Sequence, residues 1–147
     1  MVNGCILQVE DEEADVFLLQ HAFKKVGINE SLQVVSDGRQ AIDYLAGKGL
    51  FADREKYPLP ALVLLDLKLP DRNGLEVLQW IRSEPGLREL VVIALTSSDH
   101  QTDITRAYEL GINSYIVKPA DNQKRLELVQ VLKVWWLEWN RFAFKMK

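Results

Sequence analysis

Five short apolar runs, at 5–9, 32–35, 62–65, 90–95 and 114–117, are each followed by a stretch with the three-to-four spacing of an amphipathic helix. This alternation constrains the fold more than any other feature of the chain. Runs so short and so apolar suit strands buried on both faces. Strands interleaved with helices close through right-handed crossovers into a parallel sheet covered on both sides. The predicted fold is therefore α/β, a doubly wound (βα)5 domain with five parallel strands between two layers of helices. The first helix carries Val16, Leu19, Phe23 and Val26 and stops at Gly27; the second carries Ala41, Ile42 and Leu45 and ends near Gly47. The third carries Leu75, Leu78 and Ile81, with Pro85 and Gly86 closing it, and the fourth shows Ile104, Ala107 and Tyr108 before Gly111. The last runs from about Asn122 to at least Trp139.

A chain of 147 residues is the length of one domain with a proper core, and no repeat or second domain is visible. The net charge is -3, from 18 basic against 21 acidic residues, with no long basic run, which argues against non-specific nucleic-acid binding. Cys5 is the only cysteine, so neither an intrachain disulfide nor a cysteine metal site can form. No apolar stretch approaches a membrane span and no signal-like N-terminus is present, so the expected location is the cytoplasm. One segment breaks the compact rhythm. Residues 47–60 (GKGLFADREKYPLP) are polar, with Gly and Pro at both ends, and read as a surface insertion, either a partner-contacting loop or a tolerated extension.

In a doubly wound sheet the C-terminal strand ends share one edge, where ligand sites lie. The first strand ends in Glu10 and Asp11, the third in Asp66, the fourth in Thr96 and Ser97, and the fifth in Lys118 and Pro119. Alone, Asp66 reads equally as a helix-capping or loop-stabilising residue, an acidic pair as a loop feature, and Lys-Pro as a turn. Together they form one chemically coherent group. Converging carboxylates repel, and a divalent cation removes that cost. Oxygen ligands without His or Cys suit Mg²⁺. A cation beside a lysine would attract a phosphoryl group, with the Thr96 hydroxyl donating to one of its oxygens and Asp66 as the nucleophile.

These segments, Val9-Glu10-Asp11-Glu12, Leu64-Leu65-Asp66-Leu67-Lys68-Leu69-Pro70 with Asn73-Gly74, Ala94-Leu95-Thr96-Ser97 and Tyr115-Ile116-Val117-Lys118-Pro119, resemble the receiver domains of two-component response regulators. The likeness to this CheY-like family, with its flavodoxin-like three-layer sandwich, covers nearly the whole chain. It implies phosphoryl transfer from a histidine kinase to Asp66. It also implies Mg²⁺ held by Asp11, Asp66 and the backbone carbonyl of Lys68, with Glu10 assisting. Thr96 and an aromatic Tyr115 would form the switch, Lys118 would pair with the phosphoryl group, and the Lys118–Pro119 peptide would be cis. Glu10 stands where Asp is commoner. Ala120 stands where a larger apolar residue is frequent. The side chain of Lys68, at the mouth of the site, would alter hydrolysis of the aspartyl phosphate in a direction the residues do not set.

Only 28 residues follow Pro119, so no output domain is expected, and the chain is similar to stand-alone receivers. The insertion before the third strand and the Asp15-Val16-Phe17-Leu18-Leu19 segment resemble the group that partners bacterial phytochrome-type kinases. The expected protein is a phosphoacceptor signalling module, not an enzyme. Two other readings compete. A phosphatase of similar fold would want an Asp two residues after its nucleophile, where Lys68 stands. A scaffold without the chemistry would not need Asp11, Asp66, Thr96 and Lys118 all intact.

The last helix carries two apolar stripes, Leu126, Val129, Leu132 and Trp136 beside Leu128, Val131, Trp135, Trp139 and Phe142. One helix on one sheet face cannot bury both. Either the 47–60 segment or the chain end 141–147 covers the second, or it joins a homodimer through the fourth helix, fifth strand and fifth helix, with Trp135, Trp139 and Phe142 as anchors.

Overall fold

The computed structural model describes residues 4–143. Five strands, β1 (Cys5–Val9), β2 (Leu32–Val35), β3 (Pro60–Leu65), β4 (Val91–Thr96) and β5 (Ser114–Val117), form one sheet in the order β2-β1-β3-β4-β5. Every pairing is parallel. The helices are α1 (Glu13–Val26), α2 (Gly38–Ala46), α3 (Gly74–Ser83), α4 (Gln101–Glu109) and α5 (Asn122–Leu132). The doubly wound α/β prediction holds.

Alternation along the strands sorts the core into two clusters. Leu7, Val9, Val63, Leu65, Val92 and Ala94 pack against Tyr44, Val77, Leu78 and Ile81 of α2 and α3. Ile6, Leu62, Leu64, Ile93 and Leu95 pack against Leu19 and Phe23 of α1 and Val129 and Leu132 of α5. Each fully buried aliphatic side chain contributes roughly 1.5–3 kcal/mol; the central strands β1, β3 and β4 are buried throughout, whereas the edge strands β2 and β5 are mostly half-buried.

The 47–60 segment is an anchored excursion on the α2 face. A 3-10 turn at Gly49–Phe51 brings Phe51 against Tyr44 and Tyr57 at 5.2 and 5.1 Å between ring centres. The Arg54 guanidinium donates to the carbonyls of Tyr44 (2.7 Å), Leu45 (2.8 Å) and Tyr57 (3.1 Å). The first two are among the carbonyls that a helix C-terminus leaves without intrahelical partners. Because Phe51 and Tyr57 join the core cluster of α2 and α3, this segment does not cover the second stripe of α5.

The last helix departs from expectation. Regular α-helix ends at Leu132, and a π-helical segment continues over Lys133–Trp139. Asn140 N–H donates to the Trp135 carbonyl at 2.8 Å, a five-residue closure wider than the α-helical turn. The wider turn lets both Trp136 and Leu137 pack against the α1/α5 core, although Leu137 belonged to neither predicted stripe. Phe142 packs there too, together with Leu128, so both leave the second stripe. Val131, Trp135 and Trp139 remain exposed, the two tryptophans at 59% and 72%. Of the predicted covering end 141–147, residues 144–147 lie outside the described residues.

Candidate functional site

Strand register assembles the site. Val9 pairs with Leu65, so Glu10 and Asp66, the next residue on each strand, arrive side by side, and Asp66 N–H donates to the Val9 carbonyl at 3.1 Å. Leu65 pairs with Ala94, which brings the end of β4 alongside. Thr96 pairs with Val117, and the backbone N–H of Lys118 continues that ladder to the Thr96 carbonyl at 2.8 Å. The chain order reverses between β1 and β3, the switch point at which open α/β sheets leave a crevice.

The Lys118 ammonium stands at the centre of three carboxylates. Its Nζ lies 2.6 Å from Glu10 Oε1, 2.8 Å from Asp15 Oδ2 and 3.0 Å from Asp66 Oδ2. It does so across a trans Lys118–Pro119 bond: no cis peptide occurs among the described residues, which corrects the expectation drawn from the family likeness. The extended ladder at Thr96 already directs the lysine inward. The other Asp66 oxygen, Oδ1, accepts from Lys68 N–H at 3.1 Å, and Glu10 Oε2 accepts from Glu12 N–H at 3.2 Å. Glu10 and Asp66 are buried, 3% and 4% exposed, whereas Asp11 is open to solvent.

Burial pushes the Glu10 carboxyl up to about 7; the Lys118 hydrogen bond opposes this and the Asp66 charge adds to it. Burial works to lower the Lys118 ammonium, but hydrogen bonds to Asp15, Glu10 and Asp66 outweigh it and raise it above the ordinary lysine value. The ammonium is therefore firmly charged, while the Asp66 charge works against ionisation of the neighbouring Glu10.

Carboxylate oxygens of Glu10, Asp11 and Asp66 lie within 4.8 Å of one another. Three oxygen donors, two of them buried and one facing solvent, fit a hard divalent cation that keeps part of its water shell. This is a divalent-cation site, and the donor set suits Mg²⁺. Lys68, whose carbonyl the family likeness adds as a ligand, sits in a loop closed by a bridge to Asn73. Gly74 N–H donates to Leu67 at 2.8 Å, and a side chain at Gly74 would collide with the Asp66 carbonyl. Only glycine permits that approach.

Thr96 is fully buried, and its Oγ1 accepts from Ser98 N–H at 3.4 Å. The Tyr115 hydroxyl donates to the Ser98 carbonyl at 2.9 Å, and the Ser98 hydroxyl donates to Asp103 in the first turn of α4. The predicted pair Thr96 and Tyr115 is thus joined through a residue the sequence reading passed over. Asp15 was likewise missed as a site residue. Its position in the first helical turn beyond Glu10 and Asp11 was the available signal. Trp135, Trp139 and Phe142 have no part in the carboxylate cluster.

Comparison with known proteins places this geometry. A family model described as the response regulator receiver domain matches residues 6–130. Response regulator Rcp1 of Synechocystis is 38% identical over 133 residues, 90% of this chain and 88% of that protein. Its Mn(2+)-bound structure matches with a TM-score of 0.86 at 35% identity, covering 96% of this chain and 99% of that one. The response regulator RPA3017 in red light signaling of R. palustris matches with a TM-score of 0.91 at 38% identity, over 97% of this chain and 99% of that one. The phosphorylated cyanobacterial phytochrome response regulator RcpA gives 0.89 at 34% identity, over 97% and 100%.

Proposed function

This chain belongs to the response regulator receiver domain family, and from its site we propose that Asp66 is the phosphoacceptor of a two-component phosphorelay. The observation that carries the reading is the placement of Asp66: buried, fixed by the end of β3, with one oxygen on the Lys118 ammonium and the other on a backbone N–H. An Asp66 carboxylate oxygen attacks the phosphorus of a kinase phosphohistidine; the P–N bond breaks and its electron pair stays on the imidazole nitrogen. The product is an aspartyl phosphate, which water later cleaves to restore the carboxylate. Glu10, Asp11 and Asp66, with the Lys68 carbonyl, would hold Mg²⁺, which would supply positive charge to the phosphoryl oxygens. Lys118 takes one of those oxygens and Thr96 donates to another.

Thr96, Ser98 and Tyr115 form the switch. A Thr96 hydroxyl drawn toward the phosphoryl group loosens its contact with Ser98, on which Tyr115 rests. The output is a change of partner and no chemical turnover of a separate substrate. Similarity to RcpA and RPA3017 supports a phytochrome-type histidine kinase as the donor. The exposed Val131, Trp135 and Trp139 support a homodimer through α4, β5 and α5. Nucleic acid is not a partner, in keeping with the net charge of -3. No helix among the described residues is long and apolar enough to cross a membrane, and Cys5 is a buried free thiol. A cytoplasmic setting accords with the receiver-domain match.

Treatment with acetyl phosphate and Mg²⁺ tests the assignment. Intact mass should rise by one phosphoryl group, and Asp66→Asn should take none. Labelling that survives in Asp66→Asn, or that ignores chelation, removes Asp66 from the role.

A further inference from the structure

Lys118 has three N–H donors, and its ammonium has three carboxylate neighbours. Two of them, Glu10 and Asp66, belong to the buried cation site. The third, Asp15, comes from the first turn of α1 and is about one-third exposed. It has no counterpart among the strand-end residues.

Next to this contact lies a small cavity of about 30 Å³, lined by Gln8, Glu10, Asp15, Lys118 and Arg125 with apolar neighbours. Gln8 is 3% exposed, and its side-chain amide oxygen Oε1 has no hydrogen-bond partner. The ammonium thus bridges two sides of the site at once: Glu10 and Asp66 on the inner side, and Asp15 on the outer side, beside the cavity that Gln8 helps to line. A cation bound by Glu10 and Asp66 would occupy those carboxylates and repel the ammonium, leaving Asp15 as its remaining anionic neighbour. Asp15 then pulls the ammonium outward while a phosphoryl group on Asp66 pulls it inward.

We infer that Asp15 is a positioning residue that holds the Lys118 ammonium against the pull of the phosphoryl group and so sets how tightly that group is gripped. This rests on the assignment of Asp66 as phosphoacceptor. Asp15 touches neither the cation donors nor the reacting oxygen in this account; it acts through the lysine. Its effect opposes that of Lys118: the lysine favours the phosphorylated state, and Asp15 restrains it.

Beryllofluoride, a non-covalent phosphoryl mimic, tests this by calorimetric titration at saturating Mg²⁺. Asp15→Asn should bind it about threefold tighter or more, the scale of one partly exposed ion pair. Asp15→Glu, which keeps the carboxylate, should stay within about twofold of the parent. Glu13→Gln, which removes an exposed charge from the same helical turn without touching Lys118, should leave affinity unchanged and so separates contact from general field. The aspartyl phosphate should also hydrolyse at a changed rate in Asp15→Asn while the thermal midpoint stays near that of Glu13→Gln. Affinity in Asp15→Asn equal to or weaker than that of Glu13→Gln overturns the role of Asp15 and leaves Asp66 untouched. Absence of Mg²⁺-dependent binding in the parent, or binding that persists in Asp66→Asn, overturns the phosphoacceptor assignment and this inference with it.

Discussion

Asp71 reaches from the loop after β3 to the start of α2, where its Oδ1 accepts from Gly38 N–H at 2.8 Å. Its Oδ2 accepts from Arg39 N–H at 2.9 Å. Two N–H groups that the helix itself leaves unpaired are thus satisfied by a carboxylate from another element. The loop that carries Lys68 is held in place by the same contact.

Slight burial works to raise the Asp71 carboxyl, but the N–H groups of Gly38 and Arg39 outweigh it, so its pKa is depressed on folding. A carboxylate depressed in this way adds stability above its unfolded value, near 4, and that contribution disappears as pH falls through the folded value. Asp71→Ala should cost about 1 kcal/mol near neutral pH, the usual worth of such a cap. Urea melts of both proteins from pH 7 down to pH 3 check this. The two stabilities should converge toward the acid end.

Gly74→Ala forces a methyl group against the Asp66 carbonyl and the Leu67 backbone. Neither is the flexible end of a side chain, so the loop itself must shift. A loss of about 1–3 kcal/mol is expected, as for other overpacked sites. Phosphorylation by acetyl phosphate should slow as well, because the shift falls on Asp66. Chemical denaturation together with the labelling rate measures both effects.

Mg²⁺ relieves repulsion among Glu10, Asp11 and Asp66 in the folded chain and meets no comparable site in the unfolded one. At one hundred times its dissociation constant it should stabilise the fold by about 2.7 kcal/mol. Asp11→Asn removes the solvent-facing donor and should shrink the shift in thermal midpoint. Equal shifts in the two proteins would place the metal elsewhere.

Trp135 and Trp139 stand exposed in the π-helical segment that follows α5, while Trp136, Leu137 and Phe142 pack inward. Trp135→Glu or Trp139→Glu should yield a folded monomer that still accepts phosphate at Asp66, whereas the parent should sediment as a dimer at micromolar concentration. Phe142→Glu is expected to behave differently, losing stability before it alters association, since its ring packs against the α1/α5 core. A parent that sediments as a monomer at high concentration, with and without a phosphoryl mimic, removes the dimer.

The strands were legible because a strand buried on both faces must be apolar throughout, as Ala61 to Leu65 are. Glu10 and Asp66 were legible because a charge directly after such a run lies at the sheet edge, and Lys118 because it closes the fifth run, although β5 itself is only half-buried. Asp15 was not, because an acid in the first turn of a helix is ordinary compensation of the helix dipole. Ser98 acts largely through its backbone, and side-chain identity carries no record of that. The π-helical segment escaped because a Trp-rich run satisfies more than one apolar period, so the inward roles of Leu137 and Phe142 followed from the altered turn and not from spacing.

Arg54 ties the 47–60 excursion to carbonyls at the end of α2, and Phe51 and Tyr57 seat it on the core. Its outer surface, including the 74% exposed Leu50, is consequently a shape formed before any encounter. A molecule docking there would meet a preformed outcrop, which itself would lose little conformational entropy in the process. Recognition at that corner would discriminate by contour, in the manner of a key's shoulder and not of a flexible arm.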